Sequence, residues 1–423
     1  MIFALCDMNQ ESSLQKSSDK KRAYVLFSGG LDSSLAVRML QEQGVEVTGV
    51  YISTGFCVSA QQKRNGRFFE NEEKKDVTQL ADELGIDLEV IDISGEYISI
   101  VTNPRFGWGK NVNPCIDCRI HMLQRTRELM ERNGFDFIAT GEVVGQRPMS
   151  QRMFTQRLIE KESGLEGRLL RPLSAQFHQE TIPEKLGWVD RSRLGRVQGR
   201  SRKAQMEMAK EYQLKTISTP AGGCCYLTDE NFGVRFKDLL YTRKHLLSDE
   251  SRFVLTHNDM ILLSIGRQIK IRDGLKMIAG RNENENNLLE YYKKGRILLE
   301  TTEESPGPVV LLDIIENERG VAPVRSFEEI WNYSFNTENS ALNGLVEFTR
   351  GAVTSAELML VASILARYSD GREREKVEIV ARSYKDDLSL FTRFSFDAAP
   401  YKNLDMIQKR LITKVNEAEI LEL

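Results

Sequence analysis

Two short strings in this chain of 423 residues combine residue types that can carry out chemistry. The first reads S-G-G-L-D-S-S over residues 28–34. Glycines let the backbone approach a ligand closely, and serine hydroxyls and helix N–H groups bind phosphate, although a tight strand-to-helix turn also fits. Asp32 is out of place in an anion site unless a cation such as Mg²⁺ binds too. The candidate nucleotide contacts are Ser28, Gly29, Gly30, Asp32, Ser33 and Ser34.

The second string is the C-x-x-C of Cys115 and Cys118 at the start of a predicted helix, where the helix dipole favours the thiolate form. Cys224 and Cys225 follow in a glycine-rich loop, and six cysteines are too few for a disulfide framework. Four interpretations stay open: structural zinc with His121 as the fourth ligand, a thiol pair that cycles or carries a persulfide, a [4Fe–4S] cluster, or unrelated buried thiols. The cluster would be held by Cys115, Cys118 and Cys224.

A basic segment supplies a candidate RNA contact, although the net charge of −3 does not itself indicate nucleic acid. Its six basic residues are separated by no acidic residue, and they compose either an RNA-binding patch or a solvated face. Further arginines at 147, 152 and 157 add positive charge. The patch consists of Arg191, Arg193, Arg196, Arg200, Arg202 and Lys203.

These strings must be positioned by an alternation of strands and helices that begins at Arg22. Strands are predicted over 23–27, 45–52, 86–93 and 135–140, with a helix after each of the first three, so that the glycine-rich string follows the first strand. This order predicts an α/β fold with a doubly wound parallel sheet. Further helices are expected over 200–213 and 231–240.

The pattern changes after residue 245 and indicates a smaller α+β domain. We expect short strands at 260–263, 269–271, 275–278 and 309–315, a helix at 355–367, and a turn at 282–287. The predicted organisation is a flexible tail (1–21), a catalytic domain (22–245), the α+β domain (246–385) and an unassigned segment (386–423). No run approaches the ~20 apolar residues of a membrane span, and no secretory signal is recognisable, so we expect a cytoplasmic protein without a membrane partner.

The S-G-G-x-D-S string resembles the signature of the PP-loop ATP pyrophosphatase superfamily. The resemblance implies bound ATP and Mg²⁺, attack of a substrate oxygen on the α-phosphate, and a catalytic role for Asp32. It also implies that the end of the second strand lies over the adenine. Tyr51, Ile52 and Ser53 are the corresponding residues.

The cysteine string N-P-C-I-D-C (113–118) resembles the catalytic loop of tRNA 2-thiouridylases, in which Asp usually replaces Cys115. Residues 140–151 (T-G-E-V-V-G-Q-R-P-M-S-Q) and L-R-P-L at 170–173 resemble tRNA 4-thiouridine synthetases, which implies that Gly141 and Gln146 lie beside the nucleotide and that Cys224 handles sulfur. Only about twenty residues precede the PP-loop here, whereas those synthetases carry a long tRNA-binding region. Residues 274–287 and 366–370 resemble the NFACT-type RNA-binding domain, which could supply that function.

Together these features predict a tRNA sulfurtransferase, that is, an ATP-dependent thiouridine synthetase that adenylates a uridine and releases AMP and pyrophosphate. Its expected partners are tRNA and a sulfur donor, either sulfide or a persulfide carrier. One alternative is a PP-loop enzyme that adenylates and then thiolates or amidates a small molecule. A second is a non-catalytic RNA-binding protein.

Overall fold

The structure is a computed structural model that describes residues 20–56, 77–215, 225–253, 255–320, 353–373, 376–385 and 388–397. These residues divide into two compact units. The first unit contains 20–52, 77–91 and 115–215, and the second contains 53–56, 92–114 and the described residues from 225 onwards. Nearly all of the predicted tail (1–21) lies outside the described residues, as do Cys224 and most of 386–423. The predicted domain limits remain a proposal.

The first unit is built on a five-stranded sheet in the order β3-β2-β1-β4-β5. Strand β1 pairs in parallel with β2 and with β4, and β4 pairs in parallel with β5. The predicted doubly wound α/β fold is therefore confirmed. The strands are β1 (Arg22–Leu26), β2 (Glu46–Ser53), β3 (Asp87–Asp92), β4 (Phe137–Thr140) and β5 (Leu169–Leu170).

Helices follow the first-unit strands because apolar residues at helical spacing cover the sheet. In α1, for example, Leu35, Val37 and Leu40 are buried in the core with the apolar residues of β1. Helix α3 belongs to the second unit. The helices up to residue 211 are α1 (Leu31–Gln41), α2 (Val77–Leu84), α3 (Ser94–Thr102), α4 (Cys115–Asn133), α5 (Met153–Glu162), α6 (Ile182–Lys185) and α7 (Lys203–Glu211).

The second unit contains a six-stranded sheet in the order β11-β10-β8-β9-β7-β6, and each pairing of neighbours is antiparallel. This confirms a separate part with an antiparallel sheet, but the expectation that this part is smaller is wrong, because the second unit contains more residues than the first. Its strands are β6 (Arg267–Arg272), β7 (Leu275–Ala279), β8 (Ile297–Thr301), β9 (Val310–Ile314), β10 (Lys376–Lys385) and β11 (Leu388–Asp397). Its remaining helices are α8 (Glu230–Leu246), α9 (His257–Ser264), α10 (Glu283–Tyr291) and α11 (Ser355–Tyr368).

Two predicted elements of the second unit are wrong. Residues 260–263 are not a strand but lie in α9, because Thr256 and Asp259 form a reciprocal capping box that starts a helix. Residues 282–287 are not a turn, because the Asn282 side chain accepts the Glu285 N–H at 3.0 Å and caps α10. Among the described residues no helix is long and apolar enough to cross a membrane.

Candidate active site

Strands β1 and β4 are neighbours in the sheet although they are separated in the sequence by β2 and β3. In doubly wound sheets, ligands bind in the crevice at the carboxyl ends of such strands, where the winding direction reverses. The glycine-rich loop of residues 27–30 follows β1, and the loop of residues 141–152, hereafter the second loop, follows β4. The fold therefore brings the two predicted nucleotide-binding strings to one edge of the sheet.

The glycine-rich loop turns sharply before α1. Gly29 has φ = +71°, and a Cβ at this position would lie 2.9 Å from the Leu80 side chain, so both conformation and space favour glycine. Gly30 is the N-cap of α1, and no side chain among the described residues caps this helix start. The first-turn N–H groups of α1 can therefore bind an anion.

The other predicted nucleotide contacts of this loop differ in how exposed their side chains are to a ligand. Ser28 is exposed, whereas Ser33 and Ser34 are buried and their hydroxyls donate to the Gly30 carbonyl at 2.8 and 3.2 Å. These two hydroxyls stabilise the turn in this structure, and their predicted contact with a nucleotide stays a prediction. The predicted adenine contacts lie at the end of β2, where Tyr51 and Ser53 are half-buried and Ile52 is buried.

Gly141, the first residue of the second loop, packs directly on the start of α1. A Cβ at Gly141 would lie 2.4 Å from the Asp32 carbonyl carbon and 2.5 Å from the Ser33 nitrogen. Such distances are shorter than any real van der Waals contact, so only glycine allows the two loops to approach this closely. The structure thus brings the predicted residues Asp32 and Gly141 together.

Asp32 is held by the second loop and retains one oxygen for a ligand. The Gln146 side-chain amide donates to Asp32 Oδ2 at 3.0 Å. The other oxygen, Oδ1, is buried and has no hydrogen-bond partner within the part of the chain that the structure describes. Because a buried carboxylate oxygen is costly without a donor or a cation, Asp32 fits a Mg²⁺ ion whose other ligands come from phosphate and water. Gln146, predicted to contact ATP, orients Asp32 here.

The C-x-x-C string occupies the first turn of α4, as predicted. Cys115 and Cys118 are half-buried thiols, and the Cys118 sulfur lies 3.7 Å from the Met122 sulfur. Cys225 is buried in the second unit, and Cys224 lies outside the described residues. The described residues contain no group of three or more candidate metal ligands. Of the three thiolates that the predicted cluster needs, Cys115 and Cys118 are described.

A buried network of charges, not predicted as part of the site, connects the second loop to α4. Glu142, which is 3% exposed, lies 3.0 Å from Arg119 on α4 and 3.3 Å from the buried Arg171. Arg171 also contacts Glu160 on α5 at 2.9 Å. The sequence does carry a signal for this network. Glu142 lies in the T-G-E string and Arg171 in the L-R-P-L string, so one acidic and one basic residue stand among residues that are buried.

The predicted basic patch is only partly available to a ligand. Arg191 is ion-paired with Glu184, and Arg193 lies 3.7 Å from the Glu42 carboxylate. The other four residues form no ion pair within the described ranges and are exposed or half-buried. These four are Arg196, Arg200, Arg202 and Lys203.

In the second unit, the G-R-N string builds a strand-to-helix junction. Arg281 is bound by the buried Glu285, and a Cβ at Gly280 would lie 2.0 Å from the Asn286 side chain. Asn286 in turn accepts the Val309 N–H at 3.1 Å. The string therefore specifies local structure, and its polar side chains are engaged within the unit.

Comparisons with known proteins identify the same two regions. Residues 21–161 match the family described as tRNA methyl transferase HUP domain, and residues 266–322 match the NFACT protein RNA binding domain. Two curated relatives are tRNA-specific 2-thiouridylases. MnmA 1 of Syntrophus aciditrophicus is 31% identical over 150 residues, which is 33% of this chain and 38% of that protein. MnmA of Francisella tularensis subsp. tularensis is 24% identical over 296 residues, 64% of this chain and 75% of that protein.

The chain thus spans less than half the length of the first of these relatives. A solved 4-thiouridine synthetase–RNA complex with bound ATP aligns with a TM-score of 0.27 and 18% identity, over 46% of this chain and 51% of that one. The family matches confirm the resemblances over residues 21–161 and 266–322.

Proposed function

We propose that the protein transfers sulfur to a uridine of tRNA in an ATP-dependent reaction that passes through an adenylated uridine. The observation that carries this proposal is the close packing of Gly141 on Asp32, which joins the glycine-rich loop to the second loop. The second loop is tied through Glu142 and Arg119 to the helix that bears the thiols. The similarity of residues 21–161 to a tRNA-modifying family supports the choice of substrate.

The activation step uses the glycine-rich loop and Asp32. The open N-terminus of α1 binds the phosphates of ATP, and Asp32 would hold the accompanying Mg²⁺. A carbonyl oxygen of the uridine attacks the α-phosphorus, and the bond between this phosphorus and the pyrophosphate oxygen breaks. The pyrophosphate leaves with its negative charge offset by Mg²⁺ and the helix N-terminus.

The sulfur step requires a persulfide on Cys224, formed when the Cys224 thiolate attacks the outer sulfur of a donor persulfide and the donor leaves as a thiolate. The terminal sulfur attacks the activated uridine carbon, and the C–O bond to AMP breaks. A thiolate of Cys115 or Cys118 then attacks the inner sulfur of Cys224, so that the S–S bond breaks and one sulfur remains on the uridine. The resulting protein disulfide is returned to thiols by an external thiol reductant.

A second form of the sulfur step would use a [4Fe–4S] cluster held by Cys115, Cys118 and Cys224. Two of these thiols, Cys115 and Cys118, lie within the described residues. Iron and acid-labile sulfide in anaerobically purified protein distinguish the two forms. We also propose that the reaction takes place in the cytoplasm, where ATP and tRNA are available.

The test is nucleoside mass spectrometry of tRNA from cells lacking the gene, followed by reaction of that tRNA with purified protein, ATP, Mg²⁺ and a persulfide donor. We expect one thiouridine to disappear from the cells and to form again in vitro, with equal amounts of AMP and pyrophosphate. Asp32→Asn should abolish pyrophosphate release. Cys224→Ala should retain pyrophosphate release and lose thiouridine, whereas the control Cys225→Ala should retain both.

The opposite result would be an unchanged set of thionucleosides in the deletion cells, together with no tRNA-dependent release of pyrophosphate. That result would contradict tRNA thiolation and direct the search to small-molecule acceptors.

A further inference from the structure

The first turn of α5 presents a large apolar side chain to solvent. The Phe154 ring is 77% exposed, compared with 63% for Val90 and 60% for Leu186 in the same unit. Isolated exposed apolar residues are common, so exposure alone indicates no ligand. The charges of the residues near Phe154 are what indicate a ligand.

Arginines flank Phe154 in the sequence, and within the part of the chain that the structure describes no carboxylate neutralises them. Arg147, Arg152 and Arg157 are exposed, and none of them forms an ion pair with another residue in the described ranges. Positive charge next to an aromatic face is the combination that binds single-stranded nucleic acid, because arginines contact phosphates while the ring stacks on a base. Val90, by contrast, follows Glu89 on β3 and lies close in sequence to Asp87 and Asp92.

The backbone that carries Phe154 is fixed against the candidate active site. The Gly145 N–H donates to the Gln151 carbonyl at 2.7 Å, which closes the second loop just before α5. Within α5, the fully buried Gln156 accepts a hydrogen bond from Arg171 at 3.2 Å through its backbone carbonyl. Arg171 is the same side chain that pairs with Glu142 of the second loop. The ring is therefore held on an anchored helix that follows the loop contacting Asp32.

We infer that Phe154 stacks on an unstacked base of the RNA substrate, with Arg152 and Arg157 on neighbouring phosphates. The inference rests on the proposed function and adds the residue that holds the RNA strand beside the active site. The ligand is a single-stranded loop, because a base within a duplex offers no free face for stacking. Phe154 is a binding residue that positions the strand and takes no part in bond breaking.

The experiment measures the affinity of the full-length protein for tRNA with Phe154→Ala, Phe154→Leu and Phe154→Trp. Loss of one base–aromatic stack should weaken binding of the Ala variant by roughly five- to a hundredfold. The Leu variant should show most of this loss and the Trp variant should bind within about twofold of wild type, since stacking needs an aromatic face. Val90→Ala is the matched control and should bind like wild type.

A second measurement separates folding and chemistry from binding. Because the ring is exposed, all variants should have the melting temperature of the wild-type protein, and the defect of Phe154→Ala in pyrophosphate release should appear mainly as a raised KM for tRNA. An unstructured oligoribonucleotide should compete for the wild-type protein better than for Phe154→Ala, whereas a duplex should compete equally with both.

The outcomes distinguish the inference from the proposed function. If wild-type protein thiolates tRNA but Phe154→Ala or Phe154→Leu binds tRNA equally well, the stacking role is overturned and the function stands. If wild-type protein neither binds nor thiolates tRNA, the proposed function itself fails.

Discussion

Gly141 leaves no room for a side chain, because the Asp32 backbone lies where its Cβ would be placed. We therefore predict that Gly141→Ala moves the second loop by about an ångström and lowers tRNA-dependent pyrophosphate release roughly a hundredfold or more. The measurement is the initial rate of pyrophosphate release at saturating ATP and tRNA.

Gly95→Ala is the matched control. Gly95 lies in α3, and a Cβ there would meet no atom of the described residues within 4 Å. This variant should keep the wild-type rate and should be no less stable than the wild-type protein, since alanine is a better helix former than glycine. Wild-type rates for Gly141→Ala would mean that the close contact between the loops is not required.

His178 should make the protein less stable in mild acid. Burial of the ring, followed by the positive charge of Arg171, lowers the pKa of His178 to about 4. The unfolded chain then binds more protons than the folded one between about pH 4 and pH 6.5, so the free energy of unfolding falls as the pH falls through this interval. Because the ring is partly exposed, we expect an effect of roughly 2 kcal/mol.

The measurement is the free energy of unfolding, from denaturant titrations at pH 4.5 and 7.0. His178→Gln removes the titrating group, so the variant should lose less stability on acidification than wild type. Equal losses for the two proteins would contradict this assignment.

The sequence predicted that Asp32, Gly141 and Gln146 belong to one site, because their strings resemble nucleotide-binding signatures. The bond between Gln146 and Asp32 could not be predicted, since it depends on the order of β1 and β4 in the sheet. The hydroxyls of Ser33 and Ser34 illustrate the same limit. Their residue type allows donation to phosphate, but local geometry directs them to the Gly30 carbonyl.

At the scale of elements, Glu142 connects the second loop to α4 and to α5 through two arginines. Its two carboxylate oxygens face Arg119 and Arg171 respectively. Glu142→Gln keeps the shape but removes the negative charge, which leaves the buried Arg171 with Glu160 as its remaining counter-charge. We predict a loss of stability of about 2–4 kcal/mol, because a buried charge has lost part of its compensation.

The catalytic readout of this variant separates positioning from general instability. At a temperature where Glu142→Gln is folded, thiouridine formation should fall more than pyrophosphate release, since α4 carries the thiols. Arg125→Gln is the control, because Arg125 pairs on the surface with Glu128 within α4. If Glu142→Gln lowers the two rates equally, the network does not position α4.

Element types were predictable where periodicity was clear, as in the alternating strands and helices of the first unit. The segment 260–263 shows where this fails, because four consecutive apolar residues fit a buried strand and a buried helix equally well. The deciding signal was Thr256 followed three residues later by Asp259, which caps α9. A capping pair before a short apolar run is therefore a stronger signal for a helix than the run is for a strand.

At the scale of the whole molecule, a net charge of −3 does not show where the unneutralised basic residues that RNA binding needs are located. The density of basic residues in the sequence predicted an RNA contact at 191–203. Within this segment, however, Arg191 and Arg193 are paired with carboxylates. Ion pairing depends on the fold, so the sequence could not separate these arginines from those at 147, 152 and 157, which form no ion pair with any described residue. A paired arginine already has its counter-charge and gains less from a phosphate.

The salt dependence of tRNA binding tests this distinction. Each arginine that neutralises a phosphate releases counterions, so the logarithm of the affinity falls linearly with the logarithm of the salt concentration. Replacing Arg152 and Arg157 by Gln should lower the magnitude of that slope by roughly 0.7–0.9 per residue. Arg191→Gln should leave the slope unchanged and reduce stability instead, because it removes the partner of the buried Glu184 side chain. A slope that responds to Arg191 but not to Arg152 and Arg157 would return the RNA contact to the 191–203 segment and contradict the surface around Phe154.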